Sequence, residues 1–289
     1  MTYTVRTHDP AGFLERAEDF LRRDEARHNL MLGLALSRAA ARVPVDHAYL
    51  ATVLDAEGSV VGCVLRTPPH KVLVTDLPPE AAEAVAESLS TRFSSFPAVL
   101  GPAAAAEAVG QAWVARRGGT CSAGMAQGVY RLDRVRAPAG VPGFARLPRP
   151  DEVELLVEWG EGFGRDTGIP FPPGRDPILH WLQRDGLWLW EDGEEPVSVA
   201  VAHGRTGRGV RIGYVYTPPD RRGRGYAAAV VASLSQRMLD EGCAFCVLYT
   251  DLSNPTSNGV YRRIGYRLIE EVRDYDLEPP AEPLDARGT

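Results

Sequence analysis

The chain has 289 residues, 44% of them hydrophobic, and a formal net charge of −6, enough apolar material for one large domain or two of ordinary size. An acidic balance argues against a general nucleic-acid or anionic-membrane binder, since both want a basic surface, so any anionic ligand must meet a local basic cluster. Met1 to Pro10 lacks the apolar core of a secretory signal, no run is long enough to span a bilayer, and the four cysteines are too scattered for a disulfide framework; a cytoplasmic chain is expected, with no nucleic-acid or membrane partner.

In chain order, Tyr3 to Arg6 reads as a short strand, and Asp9 followed by Pro10 offers an N-cap and first residue for a helix through about Asp24. A second helix is expected from Asn29 to Ala40. Ala48 to Leu54 and Ser59 to Leu65 are β-branched and apolar, with a hairpin turn at Asp55-Ala-Glu-Gly58 between them. Lys71 to Thr75 is another strand. Pro78 and Pro79 open an Ala-rich helix to about Arg92, followed by a strand at Ala98 to Leu100, a helix from Ala103 to Arg116 and a strand from Met125 to Leu132.

The segment from Arg134 to Pro150, with Ala-Pro-Ala-Gly-Val-Pro-Gly at its centre, suits neither helix nor strand, and the domain boundary is placed there. The same element order then recurs: a strand at Ala145 to Leu147, helices from Asp151 to Trp159 and Asp176 to Arg184, and a hairpin of Leu187 to Glu191 with Val197 to Ala202. A strand from Val210 to Tyr216, a helix from Gly225 to Asp240, a strand from Ala244 to Thr250, a helix from Thr256 to Arg263 and a strand from Tyr266 to Tyr275 complete the set. Recurrence of the order points to a diverged duplication within an α/β chain. The expected division is residues 1–134, a linker at 135–143, residues 144–277, and a disordered tail at 278–289.

Strand Val210 to Tyr216 runs through Thr217-Pro-Pro-Asp220 into Arg221-Arg-Gly-Arg-Gly-Tyr-Ala227 and directly into a helix. Glycines at 223 and 225 let successive backbone N–H groups converge on phosphate oxygens, and the positive end of the helix adds to the field, with no metal required. Arg205, Arg208, Arg211, Arg221, Arg222 and Arg224 would draw in a multiply charged ligand. Taken alone, the loop is equally an exposed Arg-Gly turn. Cys243 and Cys246 have metal-ligand spacing, but they sit in an apolar run with no nearby His and read as buried strand residues; no metal is expected.

A second constellation narrows the reading. Arg222-x-x-Gly225-x-Ala227 resembles the (Gln/Arg)-x-x-Gly-x-(Gly/Ala) loop of the GNAT superfamily of N-acetyltransferases, and Asn254-Pro-Thr-Ser-Asn-Gly-Val-Tyr-Arg-Arg-Ile-Gly-Tyr266 is similar to that family's later Asn, Tyr and Gly-aromatic segment. The resemblance covers about Arg149 to Tyr275. It implies two GNAT-like domains, each a mixed sheet flanked by helices, and acetyl transfer from acetyl-coenzyme A to a primary amine of a small molecule or protein. By that likeness Arg222, Gly223, Arg224, Gly225, Tyr226 and Ala227 would bind the pyrophosphate. The backbone of Val215, Tyr216 and Thr217 would pair with the pantetheine arm, and Asn254 and Asn258 would contact the cofactor.

Tyr261 matches the family's tyrosine beside the sulfur, where it would act as a hydrogen-bond donor to the developing thiolate; its other reading is a tyrosine packing helix on sheet. Asn254 is also a fitting helix N-cap. No carboxylate occupies Val210 to Tyr216, where the family often has a Glu, so the general base is unassigned among Glu191, His203 and His180. Trp159 to Phe171, rich in Gly and aromatics, is expected as a loop, either closing over the acceptor or simply mobile. The first half lacks the signature: Asp76 and Glu80 would repel a pyrophosphate, and Trp113 and Val114 stand where a catalytic phenol would align. It is expected to be a degenerate copy. The alternative to an enzyme is an acyl-coenzyme A sensor.

Overall fold

The computed structural model describes residues 2–41, 48–169 and 171–280. Among these, one compact unit takes the residues of Met1–Gln127 and Glu270–Thr289, and the other takes Gly128–Ile269. The chain is α/β, with mixed sheet flanked by helices.

In the first unit the elements are β1 (Thr4–His8), α1 (Pro10–Arg22), α2 (Asn29–Ala40), β2 (Tyr49–Leu54), β3 (Val60–Arg66), β4 (Val72–Val74), α3 (Ala82–Ser90), β5 (Ala98–Pro102), α4 (Ala103–Arg117) and the start of β6 (Thr120–Leu132). The expected cap is present: Asp9 Oδ1 accepts from Gly12 N at 2.7 Å, with Pro10 in the first turn. Strand alternation sorts the core. Tyr49, Ala51 and Val53 face α3 and α4, whereas Leu50, Cys63 and Leu65 face α1 and α2. The sheet is antiparallel through β4, and β4 then pairs with β5 in parallel.

The second unit contains β7 (Phe144–Arg146), α5 (Val153–Thr167), α6 (Asp176–Leu182), β8 (Leu187–Asp192), β9 (Glu195–His203), β10 (Gly209–Tyr216), α7 (Tyr226–Asp240), β11 (Phe245–Asp251), α8 (Pro255–Arg263) and the start of β12 (Arg267–Glu278). Its order is β7-β8-β9-β10-β11-β6, with β10 and β11 parallel. Val210 and Ile212 of β10 pack with α7, while Leu187, Leu189, Val199 and Val201 pack with α5 and α6 on the other face.

The units divide within β6 and β12, not in the Pro/Gly-rich segment. Residues 272–276 of β12 form an antiparallel ladder with β5, which holds the end of that strand in the first unit. The Pro/Gly-rich segment is itself packed into the second unit: Trp190 Nε1 donates to the Pro142 carbonyl at 2.8 Å, and Arg136 N donates to the Ile264 carbonyl at 2.9 Å. Glu278, expected in the tail, ends β12, and residues 281–289 lie outside the described residues.

A further departure concerns α5, which continues through Thr167 instead of ending near Trp159. Its glycines serve close packing. A β-carbon at Gly160 would stand 2.3 Å from the Phe171 ring, and one at Gly162 would stand 2.4 Å from the Tyr216 hydroxyl. Among the described residues no helix is long and apolar enough to cross a membrane. Cys243 and Cys246 are buried, burial pushes the Cys246 thiol up to about 12, and no cluster of metal-binding side chains occurs among the described residues.

Candidate active site

In the second unit, β10 and β11 begin as a parallel pair at Gly209 with Phe245, Val210 with Cys246 and Arg211 with Val247, and their pairing stops there. On its other side, β10 follows β9 through Gly213 with Val201 and resumes at Tyr216 with Val199. Between them Tyr214 takes φ 46°, the mark of a bulge. The strands therefore part beyond Arg211, leaving one edge of β10 with no β11 ladder. At this opening lies a cleft of about 620 Å3.

Val215, Tyr216 and Thr217 line the cleft from β10, Arg222, Gly223, Gly225, Tyr226 and Ala227 from the turn into α7, and Asn254 and Tyr261 from α8. The turn has the required backbone. Gly223 and Gly225 take φ of 80° and 84°, which a β-carbon resists, and no atom lies within 4 Å of where a Gly223 side chain would begin. Gly225 is the N-cap of α7 and has no side chain to cap it. The first-turn N–H groups of α7 thus lack intrahelical acceptors until Ala229 N reaches the Gly225 carbonyl at 3.0 Å. Such free N–H groups at a helix start have the geometry to donate hydrogen bonds to an anion.

Arg222 closes the turn onto the strand. Its Nε donates to the Thr217 carbonyl at 2.9 Å, its guanidinium lies 5.7 Å from the Tyr216 ring centroid, and its Nη2 pairs with Asp166 of α5. The wider basic cluster is not concentrated here. Arg205 pairs with Glu241 at 2.5 Å, Arg221 with Glu195 at 2.6 Å, Arg224 does not line the cleft, and Arg211 faces the opposite side of the sheet from α7. Sequence reasoning missed Phe163, Asp166 and Thr167, which line the cleft at helical spacing. Extending α5 past its glycines would have exposed that signal.

Tyr261 packs against the α7 core and sits edge-on to Tyr266, with centroids 6.1 Å apart. Burial pushes its phenol up to about 12, so it remains an O–H donor at any ordinary pH. Asn254 caps α8, its Oδ1 accepting from Ser257 N at 3.1 Å, and also lines the cleft. Asn258 is not among the lining residues. One turn into α8, its amide points back to the Asp251 and Asn254 carbonyls at 2.9 and 2.7 Å and ties down the turn after β11.

None of the expected base candidates lines the cleft. Glu191 is buried and paired with Arg146 and Arg149. His180 is an exposed helix residue whose Nδ1 meets Arg184 Nη1 at 3.1 Å. His203 lies on the α6 face, where burial and then Arg211 hold its imidazole well below the ordinary value. Asp166 is the one carboxylate among the described lining residues, and it is committed to Arg222.

A parted parallel strand pair, a bulge, and an uncapped glycine turn leading into a helix all fall within residues 156–266, the span that matches the "Acetyltransferase (GNAT) family". This segment is a GNAT acetyltransferase domain. The GNAT likeness extends to the architecture of nearly the whole chain. A Drosophila protein superposes with TM-score 0.69 at 13% identity, over 96% of this chain and 99% of its own. A GCN5-related N-acetyltransferase from Sphaerobacter thermophilus gives 0.60 at 16% identity, over 98% of each chain. A GNAT-family acetyltransferase from Colwellia psychrerythraea gives 0.59 at 12% identity, over 95% of this chain and 100% of its own. At these identities the likeness is one of fold, consistent with two GNAT-like domains. No curated protein sequence matches the chain. The GNAT fold is one that supports acyl transfer in general.

Proposed function

We propose that the cleft binds acetyl-coenzyme A and that the GNAT domain transfers its acetyl group directly to an amine. The observation that carries this reading is a convergence in one cleft of the uncapped start of α7, the unladdered edge of β10 and the phenol of Tyr261.

In this reading the N–H groups from Gly223 to Ala227 receive the pyrophosphate, with Arg222 and Arg224 supplying charge. The backbone of Val215 to Thr217 pairs with the pantetheine amides, and Asn254 bounds the cleft at the start of α8. Asn258 acts by holding the turn. The amine nitrogen attacks the thioester carbonyl, a C–N bond forms, the C–S bond breaks, and the amine proton leaves to a water or base. Tyr261 donates a hydrogen bond to the departing sulfur. Moving its proton fully from a phenol at about 12 to a thiolate whose conjugate acid lies near 8.5 is uphill by about 3.5 units, or ~5 kcal/mol, so the bond stabilises the thiolate without requiring transfer. The first unit, with Asp76 and Glu80 where the phosphate turn would stand, is proposed to be a degenerate copy that binds no coenzyme A.

Calorimetry with coenzyme A and thiol release from acetyl-coenzyme A across an amine panel test the proposal. Binding together with amine-dependent thiol release is expected. Binding without release at any amine would make the domain an acyl-coenzyme A sensor, and absence of binding would refute the assignment of the cleft.

A further inference from the structure

The last residue of β10 paired with β11 is Arg211, at the point where the two strands part. Its neighbours Val210 and Ile212 pack under α7, so the Arg211 side chain points to the opposite face. There its cross-strand partner is His203, whose ring meets Trp181 of α6 with centroids 6.1 Å apart. Room for the guanidinium is made by Gly204, where a β-carbon would stand 3.1 Å from Nη2.

Nη1 of this guanidinium is buried and has no hydrogen-bond partner among the described residues, and no described carboxylate forms an ion pair with Arg211. Arg146, Arg149, Arg205, Arg221 and Arg222, by contrast, each pair with a carboxylate. Arg211 as a whole is half-buried, but a guanidinium nitrogen shut from water without an acceptor is a costly feature that calls for a ligand or a functional explanation. His203 cannot supply a counter-charge, because burial and Arg211 itself keep it neutral. Tyr249, on the adjacent strand, is the nearby group whose interaction favours the Arg211 charge. Arg211 does not itself line the cleft; it stands at the last β10–β11 pair, four residues before Val215, the first β10 residue that does.

We propose that Arg211 anchors an oxyanion, carboxylate or phosphate, carried by the acceptor close to its amine, so that the acceptor class is a small amino acid or amino phosphate and not a simple polyamine. The proposal rests on the acetyl-transfer reading. The planar guanidinium fork would place the oxyanion at the base of the parted strands, leaving the amine to reach toward the thioester.

The experiment compares matched acceptor pairs: an α-amino acid against its amide, and an aminoalkyl phosphonate against the alkylamine of equal length. Wild type is expected to favour the oxyanion-bearing member by about 50-fold in kcat/KM, the effect of losing a charge-assisted hydrogen-bonded pair; the pair with the larger ratio tells carboxylate from phosphate. In Arg211→Met both ratios should fall to near one, while Arg211→Lys retains part of the preference.

Thermal shift by the same compounds, without acyl-coenzyme A, reads the anchor independently of catalysis: oxyanion-bearing members should raise the wild-type midpoint and leave that of Arg211→Met unmoved. Without ligand, Arg211→Met should melt about 2–4 °C higher than wild type, because it removes an unpaired charge; loss of a structural ion pair would lower it. Equal or better rates with the neutral members and no oxyanion-dependent shift would overturn the proposal. An Arg211-dependent shift in a protein that binds no coenzyme A would instead uphold the anchor and sink the acetyl-transfer reading.

Discussion

Alanine at two glycines of α5 separates a packed helix from a mobile loop. At Gly164 a new β-carbon would find its nearest atoms at 3.5 to 3.7 Å, ordinary contact. The substitution therefore adds only what alanine gives a helix over glycine, about 1 kcal/mol, or roughly 2–4 °C in Tm. At Gly160 the same β-carbon would meet the Phe171 ring at 2.3, 2.6 and 2.8 Å. That ring is held by Tyr214, Trp181 and Phe163, with centroids at 4.6, 5.9 and 6.3 Å, and has little freedom to swing aside. Overpacking of this kind costs about 1–3 kcal/mol, which offsets the helix gain and leaves Gly160→Ala between neutral and about 2 kcal/mol destabilising. Urea unfolding of the two variants side by side, with the m-value checked for constancy, measures the difference. If Gly160→Ala stabilised as much as Gly164→Ala, or if Gly164→Ala destabilised, the packed helix through Thr167 would be wrong.

Tyr261→Phe should lower kcat for acetyl transfer by roughly 30- to 100-fold with little change in coenzyme A affinity, and the ratio to wild type should stay constant from about pH 6 to 9 because the phenol stays protonated; a ratio that varies in that window would mean Tyr261 titrates there. Asp166→Asn removes the carboxylate held against Arg222 beside the anion seat. Both partners are partly exposed, so the pair is worth at most about 1 kcal/mol, and calorimetry should find coenzyme A bound about 2- to 5-fold more tightly, a gain that shrinks with added salt. Arg146→Met leaves Glu191 and Glu152, whose side chains are only 6% and 11% exposed, with Arg149 as their remaining partner among the described residues, and should cost ~2 kcal/mol in chemical denaturation. Burial opposes the charge on Glu152, but hydrogen bonds from Arg146 and the Arg149 backbone override it and hold the carboxyl below its ordinary 4.5. The resulting stability is present above 4.5 and is lost as pH falls through the depressed value, a limb that Arg146→Met should flatten.

Much of the architecture was legible because the local signals agree. Asp9-Pro10 opens α1, Asn29–Ala40 is a helix over its full expected range, and β4, β5, β10 and β11 fall where strands were expected. The turn at Arg222 to Ala227 was equally legible, since two glycines between a strand and a helix leave few backbone choices. The extent of α5 was not, because glycine in sequence reports only low intrinsic helix preference, whereas the neighbours that make a small residue necessary, Phe171 and Tyr216, become neighbours only on folding.

The same limit governed the side chains. The sequence by itself located the turn proposed to seat a phosphate-sized anion, because backbone N–H groups at a helix start need no distant partner. Only the tertiary structure decided which charges surround that seat. It pairs Arg222 with Asp166 across the cleft, turns Asn258 inward to its own turn, takes Glu191 into an ion-pair network, and leaves Nη1 of Arg211 shut from water with no partner among the described residues. The field at a site depends on contacts between residues far apart in the chain, and no local pattern encodes them.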